Sequence, residues 1–200
     1  AALHTVDYKK IGLETYGKPG NYVARQVSRW TKQYLASETE TIPEMDNLIE
    51  WLADNIPDDD ETSIVHGDYR LDNMIYKNHE VIGVLDWELS TLGHPIADFS
   101  YHCLTWRTLP AMSDLKLIKE LGIPSEVEYR DMYSEYTGKD LSKNWEFYMV
   151  FNMFKIAAIL QGILGRVRDG TASSKHAEER GMQVFPISKG AWSIVETNFK

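Results

Sequence analysis

The stretch His66-Gly67-Asp68-Tyr69-Arg70-Leu71-Asp72-Asn73, with Val84-Leu85-Asp86-Trp87-Glu88 downstream, decides how the rest of the chain reads. Asp68 and Asn73 lie in a polar loop between two short strand-like runs, Ser63-Ile64-Val65 and Met74-Ile75-Tyr76. A third run, Val81-Ile82-Gly83-Val84-Leu85, ends at Asp86. A turn at Asn78-His79 makes the last two runs a hairpin, which returns Asp86 to the side of Asn73. Two carboxylates and an amide oxygen then surround one small volume. Hard oxygen donors of this kind suit Mg²⁺, which shares itself between a few protein ligands, water and substrate phosphates. A carboxylate left off the metal can accept the proton of a hydroxyl nucleophile. Plainer readings stand beside these: Asp68 as an Asx-turn cap, His66 as a hydrogen-bonded scaffold residue.

Working outward, the chain is predicted to be mostly helical around that hairpin, an α+β fold. Val23, Val27, Trp30 and Tyr34 recur at helical spacing between Asn21 and Ser37. A second helix follows Pro43, with Met45, Leu48, Ile49, Leu52 and Ile56 on one face, and the acidic run after Pro57 reads as a solvated loop. Beyond Pro95, Ile96, Phe99, His102 and Cys103 share a helical face. Ser125 and Glu128 have capping-box spacing and Gly138 is a helix stop. The longest apolar helix is expected from Asn144 to about Arg166, and one last helix between Ser173 and the end. Lys155 lies on one side of the long helix with Asn152 and Gly162. It reads either as a lysine whose stem packs while its amine reaches water, or as part of a polar strip lining an acceptor pocket.

Composition narrows the partners. Over 200 residues, 43% apolar and 26% charged content excludes a disordered chain. Twenty-one Lys+Arg against 30 Asp+Glu give a net charge of −9, which argues against a general nucleic-acid or anionic-membrane binder. No stretch reaches about 18 uninterrupted apolar residues. The single cysteine, Cys103, cannot form an internal disulfide and fits a reducing, intracellular setting, so a cytoplasmic location is expected. The chain opens without Met in what reads as the end of a helix, as a fragment would.

H-x-D-x-x-x-x-N followed by a strand ending in Asp resembles the catalytic and metal-binding core of protein-kinase-like folds. His-Gly-Asp with Asp-Trp-Glu is similar to the aminoglycoside phosphotransferase and choline kinase branch. LHTVD (3–7), RQVSRWTKQY (25–34), HGDYRLDN (66–73), VLDWELSTLGHPIAD (84–98) and FKIAAILQGI (154–163) resemble, more narrowly, the kinase-like domain fused to or encoded beside certain acyl-CoA dehydrogenases. The resemblance implies the large C-terminal lobe of such a kinase over residues 1–200, with the N-terminal nucleotide lobe absent. No phosphate-covering glycine loop or Val-Ala-x-Lys strand precedes His66.

The resemblance also implies roles. Asp68 is the catalytic-loop aspartate that orients the substrate hydroxyl and accepts its proton. Asn73 and Asp86 hold Mg²⁺ on the phosphates of ATP. His66 supports the metal loop, and Asp98 pins the catalytic-loop backbone from below. Arg70 offsets charge on the transferred phosphoryl group. Glu88 either helps with a second Mg²⁺ or substrate, or is a surface carboxylate. Tyr148, Phe151 and Lys155 are the candidate substrate contacts, suited to an apolar chain with a phosphate-bearing handle. The expected activity is ATP- and Mg²⁺-dependent transfer to a small-molecule hydroxyl, with a hydroxyacyl-CoA as acceptor and an acyl-CoA dehydrogenase as fused or neighbouring partner. Two readings from other classes stay open: an inactive kinase-like binding module, and a metal-dependent hydrolase with His66 and Asp68 as ligands.

Overall fold

The computed structural model describes residues 1–109, 112 and 114–199. Among these, the helices are α1 (Tyr22–Ser37), α2 (Pro43–Asp54), α3 (Pro95–Cys103), α4 (Thr105–Thr108), α5 (Leu115–Glu120), α6 (Glu126–Thr137), α7 (Trp145–Arg168), α8 (Ala177–Gly181) and α9 (Val184–Asn198). The strands are β1 (Ser63–Val65), β2 (Met74–Lys77), β3 (Glu80–Val84) and β4 (Thr91–Gly93). With 58% of the chain helical and the described strands confined to two small antiparallel sheets, the fold is α+β and mainly helical. The chain divides into two compact units, Ala1–Tyr22 with Asp59–Trp145, and Val23–Asp58 with Glu146–Lys200.

The first unit carries the strands. β2 and β3 form the expected hairpin, and Asn78 and His79 at its tip take φ of 51° and 66°, the left-handed pair that a tight two-residue turn requires. Met74 pairs with Val84, and one step further the Leu85 amide donates to the Asn73 carbonyl at 2.8 Å. β4 has no strand signature of its own, yet it pairs antiparallel with β1, Val65 opposite Thr91 and Ser63 opposite Gly93. α3 opens on Pro95, whose missing amide proton is harmless in a first turn. α6 begins in the expected capping box, Ser125 and Glu128 each bonding the other's backbone amide, and ends at Gly138 with φ 70°. Its Tyr129 and Tyr133 lie against Phe99 of α3, the rings of Phe99 and Tyr133 stacked 3.9 Å apart. That contact sets Tyr133 beside the start of α3.

In the second unit the apolar stripes of α1 and α2 are buried, with Tyr34, Met45, Leu48 and Leu52 fully enclosed. α7 is long and apolar enough to cross a membrane by length and composition. However, 78% of its most apolar 18-residue stretch is buried inside the protein, which makes it the core helix of this unit. No basic residue occupies the last turn of α1, and α7 serves its orphan carbonyls instead. Gln161 Nε2 donates to the Ser37 carbonyl and Arg168 Nη1 to that of Glu38, each at 2.8 Å. The single helix expected after Ser173 is in fact two, α8 and α9. Pro186 is the reason: it lacks an amide proton, so the helix restarts just before it and places it in a first turn.

Candidate active site

The site is assembled within the first unit on the first turn of α3. Asp98 is 7% exposed there, and its carboxylate accepts two consecutive backbone amides, His66 N–H on Oδ2 at 2.9 Å and Gly67 N–H on Oδ1 at 2.8 Å. Aiming successive amides at one carboxylate needs a left-handed residue. Gly67, with φ 85°, provides it, and a Cβ at this position would stand 2.7 Å from the Leu89 carbonyl oxygen. His4 Nε2 lies 3.1 Å from Asp98 Oδ2, and His4 Nδ1 lies 2.7 Å from the Tyr133 hydroxyl. Burial pushes the Asp98 carboxyl up, but the His4 contact and the two amides outweigh it and hold the group below the usual carboxylate range.

His66 is fully buried and both ring nitrogens are engaged. Nδ1 accepts the Asp68 amide at 3.2 Å, and Nε2 donates to the Leu85 carbonyl at 2.8 Å, which places the ring proton on Nε2. His66 thus ties the loop to the end of β3. A metal-dependent hydrolase built on His66 needs a ring nitrogen free for the metal, and this geometry removes that reading. Among the described residues, no three His, Cys, Asp or Glu side chains converge as a ligand cluster.

Asp68 is held at both oxygens. Oδ1 accepts the Tyr101 hydroxyl at 2.7 Å; Oδ2 accepts Asn73 Nδ2 at 3.0 Å, and the same nitrogen bonds the Asp68 carbonyl at 2.9 Å. Burial, then the hydrogen bond to Asp68 and its negative charge, push the Tyr101 hydroxyl up, so it stays a donor across the neutral range. With its nitrogen committed to two acceptors, Asn73 turns its amide oxygen the other way. Asp86 follows β3 in the left-handed region at φ 63°, an uncommon choice for a residue with a side chain. Its exposed carboxylate has no hydrogen bond or ion pair with the described residues. The Asn73 amide oxygen and the Asp86 carboxylate are therefore the two hard oxygen donors available at the hairpin base, and they fit Mg²⁺.

The remaining expected site residues are placed as follows. Arg70 is exposed and pairs with Asp72 through Nε and Nη2, while its charge also acts on Asp68 and Tyr101. That pairing, ahead of other influences, raises its guanidinium above the usual value. Glu88 is exposed in the turn after Asp86 and joins no side-chain network among the described residues. Tyr148 and Phe151 lie in the second unit with 0% and 2% exposure. A wall for an acyl chain must present surface, and these two rings present almost none, so packing accounts for them. Lys155 is half-buried, its Nζ 5.9 Å from the Trp30 ring centroid.

Tyr101, His4 and Tyr133 belong to the site although no motif contains them. The i,i+3 spacing of Asp98 and Tyr101 puts both on one face of α3, a signal legible once Asp98 is taken as the anchor. His4 reaches Asp98 across 94 positions, and nothing local announces that contact.

A carboxylate pinned at both oxygens, beside two oxygen donors at the end of a hairpin, is an arrangement that suits a kinase-like phosphotransferase. The chain belongs to the phosphotransferase enzyme family, whose model matches residues 1–133. A crystal structure of a candidate aminoglycoside phosphotransferase from Ralstonia eutropha superposes with a TM-score of 0.93 at 52% identity, covering 98% of this chain and 62% of that one. Acyl-CoA dehydrogenase family member 10 of Mus musculus is 44% identical over 199 residues, 96% of this chain and 19% of the relative. Acyl-CoA dehydrogenase family member 11 of Homo sapiens is 42% identical over 206 residues, 100% of this chain and 26% of the relative. The chain thus spans about a fifth to a quarter of the length of these curated relatives.

Proposed function

We propose that the protein transfers the terminal phosphoryl group of Mg²⁺-bound ATP to the hydroxyl of a small molecule, the acceptor class being a hydroxyacyl-CoA. The observation that carries the reading is the Asp68 carboxylate, fixed by Tyr101 and Asn73 in a loop that Asp98 anchors. Asp68 orients the acceptor hydroxyl and takes its proton as the hydroxyl oxygen bonds to the γ-phosphorus. The bond from that phosphorus to the bridging oxygen breaks, and its electron pair leaves with the nucleoside diphosphate. Asn73 and Asp86 would hold Mg²⁺, which when bound neutralises charge on the phosphates. Catalysis on this reading is positioning and electrostatics, with no covalent intermediate on the chain. The acceptor class rests on relatives named as acyl-CoA dehydrogenase family members.

The test incubates the full-length protein with ATP, Mg²⁺ and either a series of hydroxyacyl-CoA thioesters or an aminoglycoside, following ADP and the phosphorylated product by mass spectrometry. A phosphorylated acyl-CoA is expected. Preferred turnover of the aminoglycoside would overturn the acceptor class. No transfer to either would favour a binding module.

A further inference from the structure

We propose that His4 is a positioning residue of this site: with its ring proton directed by Tyr133, it orients the Asp98 carboxylate and, through it, the backbone that carries Asp68. This rests on the phosphotransferase reading above and names the group that sets the anchor of the loop.

His4 sits in a single 3-10 turn, Leu3–Thr5, that lies against β1, the strand leading into His66. Its Nε2 is 3.1 Å from Asp98 Oδ2, and its Nδ1 is 2.7 Å from the Tyr133 hydroxyl. The side chains of His4 and Asp98 are 6% and 5% exposed, which leaves water little access to the bond between them. The direction of each bond follows from the chemistry of the partners. The Asp98 carboxyl is held ionised, so it only accepts, and His4 Nε2 donates to it. With the ring proton on Nε2, Nδ1 is an acceptor. Burial, then the negative charge of Asp98, push the Tyr133 hydroxyl up, so the phenol keeps its proton and donates it to Nδ1. One chain of bonds thus runs from Tyr133 through His4 to Asp98 and ends on the His66 and Gly67 amides. The second of these amides stands one residue before Asp68.

Two features separate aiming from packing. The His66 and Gly67 amides both come from the loop, so they alone would let the Asp98 carboxylate turn with any shift of that loop. Among the described residues, His4 is the side-chain donor that reaches Asp98 from outside the loop, and it pins Oδ2 from a second direction. The other feature is the choice of residue types. A buried polar triad is weak evidence for stability, since an apolar set of the same shape would be about as stable. An apolar set could not hold a carboxylate in one plane. The alignment is not a by-product of local chain geometry either, because Asp98 and Tyr133 lie 94 and 129 positions from His4. The Tyr133 ring is fixed in its turn, stacked on Phe99, the neighbour of Asp98, with the ring planes 13° apart. The phenol therefore stays in place to hold the imidazole.

The full-length protein is compared with His4→Phe, which fills the volume without donor or acceptor, with His4→Gln, which keeps one of each, and with Tyr133→Phe. Each is read for kcat and KM for Mg²⁺-ATP per folded molecule with a hydroxyacyl-CoA acceptor, for melting temperature, and for hydrogen exchange at the His66 and Gly67 amides. His4→Phe should lower kcat about 10- to 100-fold with KM for Mg²⁺-ATP unchanged. It should also speed exchange at the two amides while the centre of α7 keeps its protection. Tyr133→Phe should act in the same direction by less, and add nothing in the His4→Phe background, because it works through the imidazole. His4→Gln should fall between His4→Phe and the wild type. Lowered melting with kcat per folded molecule unchanged is what a purely structural role predicts, and that result overturns the proposal. Unchanged exchange at both amides, or fully additive effects of the two variants on kcat, overturns it as well. If His4→Phe does not fold, Tyr133→Phe and His4→Gln decide by the same kcat and exchange criteria. Faster exchange at the two amides in His4→Phe, in a protein whose wild type transfers no phosphoryl group to any acceptor, would sink the phosphotransferase reading and leave the hold of His4 on the loop standing.

Discussion

Tyr101 and Asp68 meet at 2.7 Å although 33 positions separate them, the phenol donating to Oδ1 while Asn73 Nδ2 occupies Oδ2. The carboxylate cannot rotate about its Cβ–Cγ bond without breaking one of the two. Its remaining lone pairs consequently face a fixed direction, which is what a group that aims a nucleophile requires.

Tyr101→Phe should leave the fold intact and lower kcat by about 10- to 100-fold, the equivalent of the ~1.5–3 kcal/mol of a hydrogen bond to a charged group. Because Tyr101 bonds Asp68, which the proposal keeps off the metal, KM for Mg²⁺-ATP should stay put. Steady-state kinetics on the full-length protein decide this. A raised nucleotide KM at constant kcat would place Tyr101 in binding rather than in aiming the base.

Asp68→Asn and Asp86→Ala should separate base from metal donor. Asp68→Asn keeps size and removes the proton acceptor, and a loss of roughly 10²–10⁴ in kcat is expected with nucleotide affinity preserved. Asp86→Ala should instead weaken Mg²⁺-nucleotide binding, read by calorimetric titration. Equal effects of both variants on that titration would mean the two roles are assigned wrongly.

Asp98→Ala would strand two buried amides and His4, and should cost about 3–5 kcal/mol in urea unfolding. Asp98→Asn gives the pH dependence. The folded carboxyl titrates below its ordinary value of 3.8, so its stabilisation is complete above that value and is lost as pH falls through the folded one. The stability gap between wild type and Asp98→Asn should therefore be constant at neutral pH and shrink only below about pH 4. A gap that widens on acidification would show that the carboxylate is not the stabilising form.

Gly67→Ala tests the loop itself. A methyl group at φ 85° meets the Leu89 carbonyl oxygen at 2.7 Å, so the backbone must leave the left-handed region or push β4's approach aside. A penalty of roughly 1–3 kcal/mol is expected, with kcat falling further than the loss of folded protein explains. Thermal melting and active-site titration on one sample would show whether the two losses part company.

The hairpin and α6 were legible because their signals are local. Asn78-His79 supplies the left-handed turn, β-branched runs flank it, and Ser125 and Glu128 cap each other within one turn of helix. The placement of Asp68, Asn73 and Asp86 along a single loop and hairpin was legible for the same reason, their chemical roles being part of the proposal. β4 was not: Thr91-Leu92-Gly93 is extended only because β1 provides partners, and three residues carry too little pattern. The break between α8 and α9 was within reach, since Pro186 marks it, but the apolar residues around that proline mask the interruption. Tyr148 and Phe151 show the opposite error. Aromatic side chains at helical spacing read equally as pocket wall or as core, and only the packing of the second unit, where both are buried, chooses the core.

Asp98 and Tyr101 stand on one face of a helix that spans only Pro95–Cys103. The backbone of the 66–68 loop and the carboxylate of Asp68 are thus moored to the same two turns of chain. Loss of that one segment would release both moorings together, but Pro95 to Ser100 and Cys103 are buried, which ties the segment to the core. On warming, activity should therefore persist until the cooperative unfolding seen by calorimetry, with hydrogen exchange at the α3 amides among the slowest in the unit.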